Sequence, residues 1–395
     1  MKYVQFDYVN KFSCLAGKCP DTCCKDWQII LDEDAIARYA SLPGELGEQV
    51  RAAMLTENGE TRFRERGGNC VLLRDDGLCP LQAAYGAEML CRTCFTHPRF
   101  TEEYGQTAEL TLSVSCPEAA RIILGKKNPV HFLSYEKPGE EDYGDFDLFF
   151  YSQLVDARES ILKMLQDRSL SIHHRMALAL AISHDMQAHV DRREMFSCED
   201  IPKKYESETA RKYTKERLEA FEKDETGRFE FAQKTFQYLY RLELLKENWL
   251  YVLMDADKLL YGGLASVYED SVKSDAEQKG NAIQKGNTAQ KGKEEQSEED
   301  IDQLRYFVNL QEFELWKQEH MLVYFVFTYF CGAVYDGRIQ AKMQVCVYSV
   351  YIIEEILRAR WLENEKTLSM EEVVELTYRY SREVEHSDQN PERLG

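Results

Sequence analysis

An α+β chain, mostly α, is what this sequence predicts: a small cysteine-rich α+β N-terminal domain with a β-hairpin over residues 1–135, followed by an all-helical domain over 143–395. Three observations lead there. Of the 12 cysteines, nine fall within the first 116 residues: Cys14, Cys19, Cys23, Cys24, Cys70, Cys79, Cys91, Cys94 and Cys116. The stretch Thr107–Cys116 alternates with period two, with Ala108, Leu110, Leu112, Val114 and Cys116 on one face and Glu109, Thr111, Ser113 and Ser115 on the other, which is a strand pattern. From about Tyr143 onward, apolar residues recur at three- and four-residue spacing, the period of a helix.

Taken in order, Lys2–Val9 reads as a short strand. Asp34–Ser41 and Glu45–Thr56 carry helical patterns. Cys70–Cys79 reads as the hairpin, because Asp76-Gly77 supplies a turn between flanking apolar residues and so brings Cys70 toward Cys79. Leu81–Leu90 has helical spacing, and the strand 107–116 puts Cys116 at its buried end. The helices expected next are Asp145–Gln166, Ser171–Val190, Glu206–Lys223, Phe229–Leu245 and Trp249–Tyr261, with Gly262-Gly263 as a stop. Ile301–Cys331, Ile339–Arg360 and Ser369–Val384 complete the set. Their Tyr, Phe and Leu stripes read most simply as core packing, with a cofactor pocket made from them as the alternative. Between them, Gln278-Lys-Gly-Asn, Gln284-Lys-Gly-Asn and Gln290-Lys-Gly-Lys repeat. Such a polar, Gly-rich segment cannot bury a core, so a disordered loop is expected at about 272–299.

Composition bounds the function. Apolar residues make up 44% of the chain, which suits a globular protein, and the net charge is −20. A nucleic-acid binder needs a basic face to displace counterions from phosphates, so that class is excluded. The first ten residues contain no apolar h-region, and no signal peptide is expected. The longest apolar run, near Met321–Ala333, is shorter than the about 18 residues a membrane span needs, and Asp336, Arg338 and Lys342 interrupt the pattern beyond it. It reads as a buried helix. A chain of this size without an export signal is expected in the reducing cytoplasm, where clustered cysteines serve metal or redox chemistry rather than disulfides.

The densest thiol cluster is Cys14-Leu-Ala-Gly-Lys-Cys19-Pro-Asp-Thr-Cys23-Cys24. Thiolates repel one another unless a cation holds them, and Gly17 and Pro20 let the backbone bend around one. Cys91-Arg-Thr-Cys94 adds a C-x-x-C pair whose sulfurs can converge on one ion or on neighbouring irons. Three readings stand: an iron–sulfur cluster, zinc, or structural and redox-active thiols. Nine thiols exceed the four that one zinc or one cluster takes. The C-x3-C-x2-C loop of radical S-adenosylmethionine enzymes begins at Cys19-x3-Cys23 but meets Asp26 at its third position, which argues against that class. His97-Pro98-Arg99 offers an imidazole as an extra ligand or as a turn hydrogen-bonder. His173, His174, His184 and His189 lack the spacing of a zinc protease helix. No G-x-G-x-x-G follows a strand, and no P-loop or nucleophile elbow is present. Tyr378-Arg-Tyr380-Ser-Arg382-Glu-Val-Glu385-His386 reads either as an exposed helix end or as a polar pocket lined by Tyr380, Arg382, Glu385 and His386.

The cysteine order resembles that of the flagellin lysine-N-methylases, and of the wider group of proteins with a zinc- or iron-chelating C-x-x-C-x-x-C-C domain. The matching pieces are Cys14…Cys19…Cys23-Cys24, Asn69-Cys70-Val-Leu-Leu…Asp76-Gly-Leu-Cys79, Cys91…Cys94…His97-Pro-Arg99, Glu109–Glu118 and Tyr380–Ser387. The spacing here, C-x4-C-x3-C-C, is looser than the domain's name. The resemblance implies methyl transfer from S-adenosylmethionine to surface lysines of flagellin, and a 4Fe–4S cluster in the cysteine domain, with zinc as the alternative metal. On that reading Tyr380, Glu385 and His386 are the catalytic candidates, Arg99 and Arg382 the candidates for binding the donor, and the nine N-terminal cysteines the metal ligands. The competing expectation is a non-enzymatic metal-binding or redox-sensing protein.

Overall fold

The computed structural model describes residues 1–25, 27–139, 147–194, 198, 200–245, 247–261, 315–387 and 390–394. The loop expected at 272–299 and the first half of the helix expected at Ile301–Cys331 lie outside this set. The α+β, mostly α class is what the chain adopts. Among the described residues no helix is long and apolar enough to cross a membrane.

Strands β1 (Lys2–Phe6), β6 (Arg99–Tyr104), β7 (Thr107–Leu112) and β8 (Phe132–Glu136) form a mixed sheet in the order β6-β7-β1-β8. β1 runs parallel to β7, with Lys2 opposite Thr107 and Gln5 opposite Leu110, and antiparallel to β8. β7 is therefore central, and its two faces are both covered: Ala108 and Leu112 on one side, Glu109 and Thr111 on the other, are all buried. A buried carboxylate needs a partner. Glu109 finds it in Arg158 of the helix Leu148–Leu165, which also donates to the Phe327 carbonyl at 2.8 Å and lies 4.6 Å over the Phe327 ring.

The sheet shares one hydrophobic core with the helices. Phe6, Leu112, Val114 and Ile123 belong with Leu154, Ile161, Tyr324, Phe327 and the apolar side of helix Ile339–Glu363. The run near Met321 is a buried helix as expected, within Leu315–Tyr329. A second, smaller core contains Ile29, Leu31, Tyr39, Val50, Phe63 and Leu81, together with Cys70 and Cys91.

Several local expectations shift. The hairpin is not at 70–79. Met54–Glu57 (β2) pairs with Glu60–Phe63 (β3) around Asn58-Gly59, and Glu65–Arg66 (β4) with Asn69–Cys70 (β5) around Gly67-Gly68. Asn58 and Gly59 have φ of 51° and 88°, the left-handed pair that a two-residue hairpin turn requires. Asp76-Gly77 does make a turn, with Arg74 N–H bonded to the Leu78 carbonyl at 3.1 Å, but no ladder extends from it because Pro80 opens a helix right after Cys79. The helix expected over Glu45–Thr56 stops at Ala53 and gives way to β2. The helical spacing of Leu81–Leu90 is split by Gly86, at φ 87°, into a helix Pro80–Tyr85 and a 3₁₀ turn Ala87–Met89. The helix expected at Phe229–Leu245 covers Glu225–Leu239. β7 ends at Leu112, so Cys116 is buried not as a strand residue but as the cap of helix Pro117–Leu124.

Candidate thiol centre and the helix end that clamps it

All nine N-terminal cysteines are free thiols, spread over segments that the fold gathers. The loop from Cys14 to Cys24 is irregular, with one 3₁₀ turn at Ala16–Lys18. Cys14 Sγ accepts the Ala16 N–H at 3.4 Å, and the Cys19 thiol donates to the Asp21 carbonyl at 3.1 Å. The Cys70 N–H donates to the Cys24 carbonyl at 2.9 Å, which ties the loop to β5. Cys79, Cys91 and Cys116 each cap the N-terminus of a helix: Pro80–Tyr85, Arg92–Thr96 and Pro117–Leu124. Backbone N–H groups of Leu81 and Gln82 point at Cys79, those of Glu118 and Ala119 at Cys116, and that of Cys94 at Cys91. Amides aimed at sulfur favour the thiolate.

Burial works in the other direction. It pushes Cys70 up to about 12 and Cys116 up to about 11. In the adjacent pair, hydrogen bonding to Cys24 raises Cys23 far above the thiol range, while Cys24, receiving that bond, falls to about 7. Cys94 and Cys91 share a proton in the same way, raising the first and lowering the second. The mutual repulsions sort the thiols into two neighbourhoods. Cys24, Cys70, Cys79, Cys91 and Cys94 act on one another, and so do Cys14, Cys19, Cys23 and Cys116, with Cys23-Cys24 as the junction.

Among the described residues no three His, Cys, Asp or Glu side chains converge closely enough to hold a single metal ion. Four thiolates around one zinc stand about 3.8 Å apart, as Zn–S bonds near 2.3 Å dictate. A cubane sets its ligands on separate irons and spreads them more widely. Each neighbourhood has at least the four thiols that one metal centre, zinc or cluster, takes.

The terminal helix Met370–Glu385 meets this centre from the other side. Arg382 is 2% exposed. Its Nη1 donates to the Asp21 carboxylate at 2.5 Å, Nη2 to the Asp21 carbonyl at 3.3 Å and Nε to the Ser115 carbonyl at 2.9 Å. The guanidinium expected to bind a donor is thus occupied as a clamp on the cysteine loop. His386, just past the helix, stacks on Trp27 at 4.9 Å, and His97 packs against both, 5.4 Å from Trp27 and 6.2 Å from His386. Trp27 Nε1–H donates to the Cys23 carbonyl at 2.6 Å. Burial, reinforced by Arg382, lowers His97 to about 4, so its imidazole is neutral at physiological pH.

Glu385 accepts from Ser113 at 3.1 Å, Ser381 at 2.6 Å and Tyr324 at 3.1 Å, and Tyr329 bonds to it as well. Burial raises its carboxyl above the usual range, and the hydroxyls oppose that. The carboxylate is engaged inside the fold, holding three segments together. Tyr380 is not in this group: fully buried, its hydroxyl meets Ser349 at 3.0 Å in the helical core. Arg99 is exposed and lies 5.0 Å over the Phe12 ring. So Arg382, Glu385 and His386 do gather beside the thiols, while Tyr380 faces the helical core and Arg99 packs on Phe12, just before Cys14. Asp21, Trp27, Ser113 and Tyr324 complete the arrangement without having been singled out. Only Trp27, close behind Cys24, carried any local signal.

A family model described as the FliB lysine N-methylase C-terminal domain matches residues 158–395. The chain is similar to the flagellar biosynthetic protein FliU of Salmonella muenchen, at 36% identity over 124 residues, 30% of this chain and 73% of that protein. It is also similar to the lysine-N-methylases of Salmonella typhimurium and Salmonella choleraesuis, each 33% identical over 124 residues, 30% of this chain and 31% of theirs. The match therefore spans less than a third of those two enzymes. No solved structure matches the chain.

Proposed function

Because the chain belongs to the FliB lysine N-methylase family, we propose that it transfers methyl groups from S-adenosylmethionine to surface lysines of flagellin in the cytoplasm. The observation that carries this reading is the match of residues 158–395 to the family's C-terminal domain. Lysine-N-methylase is also the name of two relatives.

In the reaction, the lysine amine attacks the sulfonium methyl in line. A nitrogen–carbon bond forms, the carbon–sulfur bond breaks, and its electron pair stays on sulfur as a neutral thioether. The amine must first lose a proton, and the methylated nitrogen carries positive charge once formed. Glu385 is already committed to hydroxyl donors, and His97, lowered to about 4 by burial, is a weak acceptor for that proton. A 4Fe–4S cluster on the N-terminal cysteines would cross-link the loop 14–24, β5 and the three capped helices. Arg382, through Asp21, would hold that assembly against the terminal helix. The charge of −20 suits a lysine-bearing partner.

The test is incubation of anaerobically purified protein with labelled donor and flagellin from the same bacterium. Label on flagellin lysines is expected, and unlabelled flagellin with the iron and sulfide content intact rejects the reading. A non-enzymatic redox sensor is the second reading, favoured by the surplus of coupled thiols. It requires reversible loss of visible absorbance on oxidation together with no donor binding in calorimetry. Stoichiometric zinc without iron or sulfide would favour a zinc-stabilised scaffold.

A further inference from the structure

The helical half contains a cleft that the thiol centre does not reach. Helices Ile172–Asp191, Glu208–Lys223, Glu225–Leu239 and Ile339–Glu363 enclose about 1450 Å³, and no cysteine lines it. We propose that this cleft binds the methyl donor, an adenine nucleoside carrying a sulfonium and an amino acid. The inference rests on the methyl-transfer reading and adds where the donor sits.

Size comes first. Small-molecule sites run to about 300–1,000 Å³, so the cleft accommodates the donor with room left for an incoming lysine side chain. Its walls are aromatic. Phe231 stands edge-on to Tyr351 at 5.3 Å and 62° and to Tyr348 at 5.9 Å and 68°. Phe221 closes on Phe231 at 5.8 Å and 90°. Rings set at steep angles offer faces to a planar base, and tyrosine faces attract a sulfonium by cation–π interaction. Tyr348 and Tyr351 lie one turn apart on the same helix, so they present adjacent surfaces.

The floor is polar and incompletely satisfied. Tyr261 donates to the Glu355 carboxylate, and Arg358 Nη2 donates to both Glu355, at 2.6 Å, and the Tyr261 oxygen, at 2.9 Å. Arg358 is 8% exposed, and among the described residues its buried Nε–H has no partner. Leaving a buried charged donor unpaired is costly, and a carboxylate entering the cleft satisfies it. Beside it, Glu354 holds His173 at 3.2 Å, with Glu222 at 3.8 Å on the other side of the imidazole. The floor therefore offers the unpartnered Arg358 Nε–H for a carboxylate and, in Glu355 and Glu354, acceptors for an ammonium or a ribose diol. That is the pattern of groups an amino-acid nucleoside presents.

The test is calorimetric titration of S-adenosylhomocysteine into the full-length, iron-loaded protein. Phe231→Ala and Tyr348→Ala are expected to weaken binding about ten-fold or more, the size of a lost base–aromatic stack. Tyr348→Phe, which keeps the ring, is expected to stay close to wild type. Ultraviolet crosslinking of labelled S-adenosylmethionine to the wild-type protein is expected to mark peptides from helices Glu225–Leu239 or Ile339–Glu363, and needs no variant to fold. Wild-type affinity in both alanine variants, or label confined to the cysteine segments, overturns the cleft assignment alone. No binding by the wild type overturns it together with the methyl-transfer reading.

Discussion

Asp21→Ala is the substitution whose consequence can be worked furthest. Asp21 is the carboxylate partner of Arg382, whose side chain is 2% exposed, while that of Asp21 is 16% exposed. Removing one partner of a buried ion pair leaves a charge without compensation, which costs about 3–5 kcal/mol. Asp21 retains some solvent, and Arg382 keeps the Ser115 carbonyl, so the lower end, about 3 kcal/mol, is expected. With about 2.1 cal/mol/K of unfolding entropy per residue over 395 residues, that lowers Tm by about 4 °C. Asp21→Asn keeps a hydrogen-bond acceptor and should lose about half as much. The assays are urea denaturation and alkylation of Cys14 and Cys19, whose rate should rise as the loop loosens. A cycle with Arg382→Met should give a coupling of at least about 1.5 kcal/mol. If Asp21→Ala unfolds within about 1 kcal/mol of wild type and alkylation is unchanged, the clamp does not hold the loop.

Three further outcomes are expected. Glu354 raises His173 to about 9, so this pair's stabilisation is fully present below the ordinary histidine value near 6.5 and is lost as pH rises through 9. The imidazole is 32% exposed, which trims the effect to about 1–2 kcal/mol, and urea melts at both ends of that window, with His173→Gln as the flat control, measure it. Glu109→Ala should cost about 3–5 kcal/mol by stranding the buried Arg158, whereas Glu109→Leu with Arg158→Met should recover most of the loss, both read by urea denaturation. Ser369→Ala removes a reciprocal cap, in which Ser369 and Glu372 each bond the other's backbone, and should cost about 1 kcal/mol in thermal melts.

Local rules served the helical half well because its information is local. Ser171 and Ser369 start their helices as side-chain caps, and the apolar periods of Ile172–Asp191 and Ile339–Glu363 run as the spacing implies. They served the cysteine half less well where two local signals competed. Asn58-Gly59 is a stronger hairpin signal than Asp76-Gly77, because Pro80 commits the chain after Cys79 to a helix. At Glu109 the alternating pattern identified a strand but not its place in the sheet. Only the parallel pairing of β1 with β7 makes that strand central and buries its polar face.

By itself, then, the sequence determined the class of the fold and the clustering of nine thiols ahead of a helical body, since each of these rests on composition or on short-range spacing. Tertiary structure decided what the candidate residues are for. Arg382 and Asp21 are 361 positions apart, and no spacing rule links them. Glu385 became a hub because Ser113 and Tyr324 arrive from two other segments, and Tyr380 faces Ser349 because its side of the helix packs into the core. The aromatic cleft is likewise built from helices whose stripes, read one at a time, are indistinguishable from core. Whether such a ring is core or wall depends on what stands opposite it, and that is settled only when the helices pack.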